Sequence, residues 1–477
     1  MKNLSLTLYA FHLRQTLTDA PDRVADDAAK LWDNLTNLGH FPGLTTLKSH
    51  LICYTNTEYT PQNEPGQKTH WLTHAQDIDL GAISTADGFK ITANLQPFRL
   101  NDTYAIDLTL TPDSPHLDIT LPQLQHFRPQ SLLPNTIQAS LGQTLWLYAE
   151  VDAQTDCANL AEQCATALLA NTPLNPSLQN QDSLFGSHLF HYLATQPSQP
   201  DNPASHCHIL ISLNTSHSPT IELLGKGYDE LLQILCSTHK LRYIYHQSRQ
   251  RYPEARHLYS HLEHQIQTLP NLTTNPQTRL DALKNLLNQI PHTALDYARC
   301  LRDLRAHQTA METNLTNFDT KQQHLAQIGD IPQFWGDFLK ASQRNKQQIQ
   351  TDINYLSPGQ DLFGQMLETV RGIVDLDQAE RDRALDQKLQ NLELWIAVVG
   401  TGLAVSGISS QVDSQPIQSF IQNQTNTETP VCPSAGVVKC TTYNGLNVLI
   451  HIIIAVAIAL PIGCIIQWMR DRHKRRG

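Results

Sequence analysis

Apolar residues fall at every second position from Leu4 to Leu8, the pattern of a strand with one buried face. A helix is predicted over Asp22 to Leu38, opened by Asp-Ala-Pro and closed near Gly39. Strand-like runs follow at Ser49 to Tyr54, Phe89 to Leu100 and Tyr104 to Leu110, separated by Asp, Gly, Pro and Asn turns. The strand LWLYAEV begins at Leu145 and precedes a helix from Cys157 to Leu169. A polar, proline-containing loop is expected from Asn171 to Ser205, and then the strand CHILISL from Cys207 to Leu213. Strands interleaved with helices predict an α+β or α/β N-terminal domain over residues 1–217, as one body or as two subunits at 1–130 and 140–217.

After Ser218 the spacing of apolar residues changes to three and four, which predicts helices. They are expected at Tyr228 to Gln267, Pro276 to Gln289, Thr293 to Ala326, Pro332 to Tyr355 and from Asp361 onward, with breaks at Leu269-Pro270-Asn271, Ile290-Pro291, Gly329 to Pro332 and Ser357-Pro358-Gly359. In the third of them Leu295, Leu301, Leu304, Met311, Leu315 and Phe318 mark one side, the side a bundle helix buries. Residues 218–358 therefore read as a helical bundle and 359–392 as a long stalk helix. The stalk carries the charged run Asp375, Asp377, Glu380, Arg381, Asp382, Arg383 and Asp386. Its carboxylates could hold a divalent cation between subunits, or form a solvated face with pairs such as Asp377 and Arg381. No cofactor is identified.

Two uncharged apolar stretches follow. Val448 to Met469 is long enough to span a bilayer, whereas Leu394 to Ser410, seventeen residues, lies at the lower edge of that range and reads as a span or as a buried helix of a soluble domain. The pair gives a first span at 393–410, a linker at 411–443 and a second span at 448–469. The tail at 470–477 is basic, whereas the linker holds a single basic residue, Lys439. The positive-inside rule then expects a multi-pass protein of the cell membrane with both termini cytoplasmic. Gly400 and Ala404 form one small-residue pair, and Ala455, Ala459 and Gly463 form a row on the second span. Such rows let helices pack closely, so a homo-oligomer in contact with membrane lipid is expected. Gly402, Ser406 and Ser409 share a face that could line a pore, with His451 as the ionisable side chain inside the spans. Val398-Val399-Gly400-Thr401-Gly402 imitates a dinucleotide fingerprint, but no strand precedes it and no βαβ unit follows.

Composition adjusts this picture. Hydrophobic residues make up 40% of the 477 and charged residues only 16%, with a net charge of −10. The mean hydropathy is −0.34 and the isoelectric point about 6.1. A nucleic-acid binder working through a global positive field is not expected. The nine cysteines include no Cys-x-x-Cys pair or zinc spacing. Most read as reduced and buried, while Cys432 and Cys440 in the linker are a candidate disulfide. His206, Cys207 and His208 raise the question of a nucleophilic Cys/His pair. Strand alternation instead sends the two histidines to one face and the cysteine to the other. With no phosphate loop, hydrolase elbow or zinc motif, an enzyme is not expected.

An α/β domain, a helical bundle, a long helix, two C-terminal apolar segments and a basic tail occur here in an order that resembles the CorA family of magnesium channels. That family carries Gly-Met-Asn directly after its first span; here Ser406-Gly407-Ile408-Ser409-Ser410 stands in that place, and Tyr443-Asn444-Gly445-Leu446-Asn447 precedes the second segment. The resemblance implies a pentamer whose first span lines the pore. The resulting expectation is a cation channel or transporter gated by a cytoplasmic sensor domain. The alternative is a non-conducting, membrane-anchored signalling, scaffold or defence effector protein. In both, the sensor domain takes a ligand or protein partner that the sequence does not name.

Overall fold

A computed structural model describes residues 1–16, 23–66, 69–216, 218–268 and 276–381. They form two compact units, Met1–Pro253 with Cys300–Ile353, and Glu254–Arg299 with the residues from Asn354 onward.

In the first unit the strands are β1 (Lys2–Leu13), β2 (Tyr54–Thr55), β3 (Glu58–Tyr59), β4 (Thr69–Trp71), β5 (Ile78–Ser84), β6 (Lys90–Leu100), β7 (Thr103–Pro112), β8 (Gly142–Glu150), β9 (Ser177–Leu184), β10 (Ser187–Ala194) and β11 (Cys207–Asn214). Nine of them build one sheet in the order β4-β6-β7-β1-β8-β11-β10-β9, with β5 on β6. Only β8 and β11 pair in parallel; the other ladders of this sheet are antiparallel. The short helices are α1 (Lys30–Leu38), α2 (Leu47–His50), α3 (Pro134–Ile137), α4 (Cys157–Leu168) and α5 (Thr220–Lys226). The long ones are α6 (Tyr228–Thr268), α7 (Pro276–Ala326) and α8 (Gln333–Arg381).

Period-two alternation sorts each central strand into two buried faces. In β1, Leu4, Leu6, Leu8 and Ala10 join one core with Trp32 and Leu35 of α1 and Cys164 and Leu168 of α4. Tyr9, Phe11 and Leu13 join the other, with Leu231, Ile234 and Leu235 of α6, Phe318 and Leu325 of α7 and Trp335 of α8. In β11, Cys207, Ile209 and Ile211 face the first core and Leu210 the second. Covering both faces is why these strands read as near-continuous apolar runs.

Several predicted elements change form. The helix expected from Asp22 is confined to Lys30–Leu38, because Val24 is drawn into a bridge with Gln15. The stretch expected as a strand at Ser49 to Tyr54 instead turns through α2 and joins only the two-residue β2. The loop expected from Asn171 to Ser205 contains the β9–β10 hairpin. Its turn residues Phe185 and Gly186 both have positive φ, 51° and 80°, as a two-residue hairpin turn demands. Asp330, between α7 and α8, holds this turn. Its carboxylate accepts from the Gly186 N–H at 2.9 Å and from the Ser183 hydroxyl at 2.7 Å, and its carbonyl accepts from the Phe185 N–H at 3.0 Å.

The breaks expected at Pro291 and Pro358 do not end helices. Both prolines lie inside, in α7 and α8, as Pro253 does in α6. A proline removes one N–H and crowds one carbonyl; buried neighbours such as Ile290 and Leu356 hold the turns on either side. In the second unit Tyr297 is fully buried, donates its hydroxyl proton to the Leu356 carbonyl and packs its ring on Phe363 at 5.2 Å. The helix face expected from Leu295 to Phe318 is buried from Leu301 onward, while Leu295 itself is half exposed.

The expected architecture ending in two transmembrane helices, the membrane assignment and the multi-pass location with cytoplasmic termini are corrected. Among the described residues no helix is long and apolar enough to cross a membrane. The long helices carry charged residues along their length: α8 alone holds Asp337, Lys340, Arg344 and Lys346 in one stretch. The segments 393–410 and 448–469, with Gly400, Gly402, Ala404, Ser406, Ser409, His451, Ala455, Ala459 and Gly463, lie outside the described residues, as do Cys432 and Cys440.

Candidate functional site

Four neighbouring strands of the first unit carry a polar row on the face that α6 covers. Register places Asn180 of β9 opposite His191 of β10, and His208 of β11 opposite Thr144 of β8. His191 stands diagonally from His208, within reach of a long side chain. The Asn180 amide lies 3.3 Å from His191 Nδ1, and His191 Nε2 lies 3.0 Å from His208 Nδ1. From α6, His239 sets its Nε2 2.9 Å from the Thr144 hydroxyl and meets His208 edge to face at 5.3 Å. Gly142 makes this approach possible. At φ +116° its place cannot carry a side chain without strain, and a Cβ there would stand 2.9 Å from His239 Nδ1.

One turn beyond His239, Arg242 lays its guanidinium over the Phe338 ring of α8 at 5.1 Å, and Phe334 stacks on His191 at 5.6 Å. Burial holds His191 and His239 neutral, pushing both down to about 3, with the Arg242 charge adding to the effect. His208 is held well below the ordinary imidazole range by the same burial, then by Arg242 and its neighbouring histidines. Desolvation also brings Arg242 down to about 10. The cluster is therefore a set of neutral imidazoles beside one cation.

Cys207 joins the first core while His208 turns toward His239 of α6, and His206 stands just before the strand, so β11 forms no local nucleophilic pair. Burial pushes the Cys207 and Cys164 thiols up to about 12 and Cys236 to about 11; Cys53 is raised further still, by burial and by Glu64. A thiol held protonated is a poor nucleophile. In the folded protein Cys53, Cys164, Cys207 and Cys236 are expected to resist iodoacetamide at pH 8, read site by site by peptide mass spectrometry. Rapid alkylation of Cys207 without unfolding would refute the buried-thiol reading.

Two further polar clusters sit in the sheet. Glu64 accepts from Arg14 at 2.8 Å, from Arg99 at 2.7 Å and from the Tyr104 hydroxyl, whose oxygen lies 2.8 Å from the Tyr59 hydroxyl. The buried Asp107 accepts from Thr109 at 2.7 Å and from Tyr228 at 2.8 Å. In both, the carboxylate's partners are supplied inside the fold. Among the described residues no group of three or more His, Cys, Asp or Glu is placed to hold a metal ion. Side chains of the stalk carboxylates from Asp377 onward lie outside the described residues.

Sequence reasoning found His206 and His208 but missed His191, His239 and Arg242. The signal for His191 was the alternation in Ser187–Ala194, hidden by the surrounding prolines. For the α6 pair it was the i, i+3 spacing of His239 and Arg242. No family model matches the chain, and neither a curated protein nor a solved structure matches it.

Proposed function

We propose that this chain is a signalling or scaffold protein, in which the sheet domain receives a ligand or partner and the long helices carry self-association. The observation behind this reading is the second face of the sheet. One continuous core joins its strands to the first turns of α6, the last turns of α7 and the start of α8. A change at the polar row on that face therefore reaches three long helices through packed side chains. These helices are 41, 51 and 49 residues long, far beyond what the sheet needs for cover.

Leu295, Tyr355 and Leu376, on α7 and α8, are about half exposed; association between copies would cover them. Native mass spectrometry of the full chain at low micromolar concentration is expected to give a homo-oligomer. Leu295→Glu combined with Tyr355→Glu should shift it toward smaller species. A strictly monomeric mass across the accessible concentration range would overturn the proposal.

A further inference from the structure

Arg242, itself half-buried, differs from the other basic side chains packed into the sheet domain. Arg14 and Arg99 share the Glu64 carboxylate, and Lys240 pairs with Asp102. Arg242 has no carboxylate partner among the described residues; its contact is the Phe338 ring, and its Nε–H is buried without an acceptor. A cation partly withdrawn from water with no counter-ion is costly. Stacking on a ring answers the face of the guanidinium and leaves the in-plane Nε–H unanswered.

The histidines supply a second unanswered donor. The Asn180 amide N–H donates to His191 Nδ1, so His191 carries its proton on Nε2 and donates it to His208 Nδ1. His208 is then left with its proton on Nε2, and that atom is buried with no partner. His206, just before the strand, donates from Nε2 to the Pro200 carbonyl at 2.8 Å, leaving Nδ1 buried and unpartnered. Arg242 also acts electrostatically on His206 and His208. A guanidinium fork, an imidazole N–H and a further imidazole nitrogen that gains a proton when an anion arrives form the donor set of an oxyanion site. The set is wrong for a metal ion, because a guanidinium has no lone pair to give.

We propose that Arg242, His208 and His206 form a binding site for a tetrahedral oxyanion, the phosphate group of a small molecule or free phosphate. This names the ligand class of the receiving domain proposed above and rests on that reading. The site's test is nevertheless separate from the oligomer mass, so either can fail alone. The bound oxygens would take the orphaned Arg242 and His208 donors, replacing the missing counter-ion. Phe334 and Phe338 flank the same row and would keep bulk water from competing.

Isothermal titration of the full chain with inorganic phosphate, and separately with glycerol 3-phosphate, distinguishes the two sources by which one binds more tightly. At least one is expected to bind, and to raise the melting temperature. Arg242→Gln should abolish both effects, and Arg242→Lys, which keeps the charge but loses the fork, should weaken them at least severalfold. Arg242→Met should give a folded protein as stable as the parent or more so in anion-free buffer, because the uncompensated cation is gone, yet one that phosphate no longer stabilises. In parallel, the nitrogen-15 signal of the His208 ring should move during the titration. No heat and no stabilisation with either probe, or a response that persists unchanged in Arg242→Gln, would overturn the proposal.

Discussion

Replacing Glu64 by glutamine is expected to destabilise the fold by about 3–5 kcal/mol, the range for breaking one side of a buried ion pair. The Glu64 side chain is 1% exposed, and those of Arg14 and Arg99 are 8% and 13% exposed. Removing the carboxylate charge leaves two guanidinium groups together in a place water barely reaches. It also leaves one acceptor oxygen where the carboxylate offered two to Arg14, Arg99 and the Tyr104 hydroxyl, and sets an NH2 donor in place of the other. The penalty comes from what is stranded, more than from what the ion pairs contribute in themselves. Urea unfolding followed by circular dichroism measures it. A midpoint unchanged from the parent would show that solvent or another acceptor reaches the two arginines. Pairing Glu64→Gln with Arg14→Met should recover part of the loss, since one stranded charge is then removed.

The second large effect is loss of stability in mild acid. His191 and His239 are held neutral in the fold down to about 3, against about 6.5 in the unfolded chain. Above pH 6.5 both states are neutral at these rings and the contribution is complete. As pH falls below 6.5 the unfolded chain takes up protons that the folded one refuses, so stability drops until the folded values are reached near 3. At pH 5 this amounts to about 2 kcal/mol for each of the two rings, and His208 acts in the same direction. Asp107 opposes it. Burial raises its carboxyl above the usual range against the hydrogen bonds of Thr109, Tyr228 and Tyr9, so its contribution is present in acid and is lost as pH rises through that raised value. One carboxyl does not offset three imidazoles. The urea midpoint should therefore fall steeply between pH 7.5 and pH 5, and His239→Gln should flatten the slope. Equal midpoints at the two pH values would contradict the neutral-cluster description.

The central strands were legible because burial on two faces writes itself as alternation or as an apolar run: β1, β6, β7, β8 and β11 all stand close to where the pattern puts them. β9 was not, since SLQNQDSL is a largely exposed edge strand with no apolar signal, held by its neighbour and by Asp330. The long helices were legible as helices but divided at Pro291 and Pro358, because local chemistry weighs a proline at about 3 kcal/mol and cannot weigh the packing on either side. For the histidine site, alternation pointed His208 away from Cys207 and nothing more. The site is assembled from β10, β11 and α6, and no local pattern states that they meet.

The place of β1 in the sheet also sets the order in which the chain can be completed. This first strand lies between β7 and β8, so its two edges stay unpaired until Pro112 and then Glu150 have been made. At about 5–20 residues per second, that leaves an apolar strand without partners for several seconds to half a minute. Its second face waits longer, for Phe318, Leu325 and Trp335. Exposed strand edges pair readily with other chains, so during synthesis β1 is a segment that a chaperone's cover would protect.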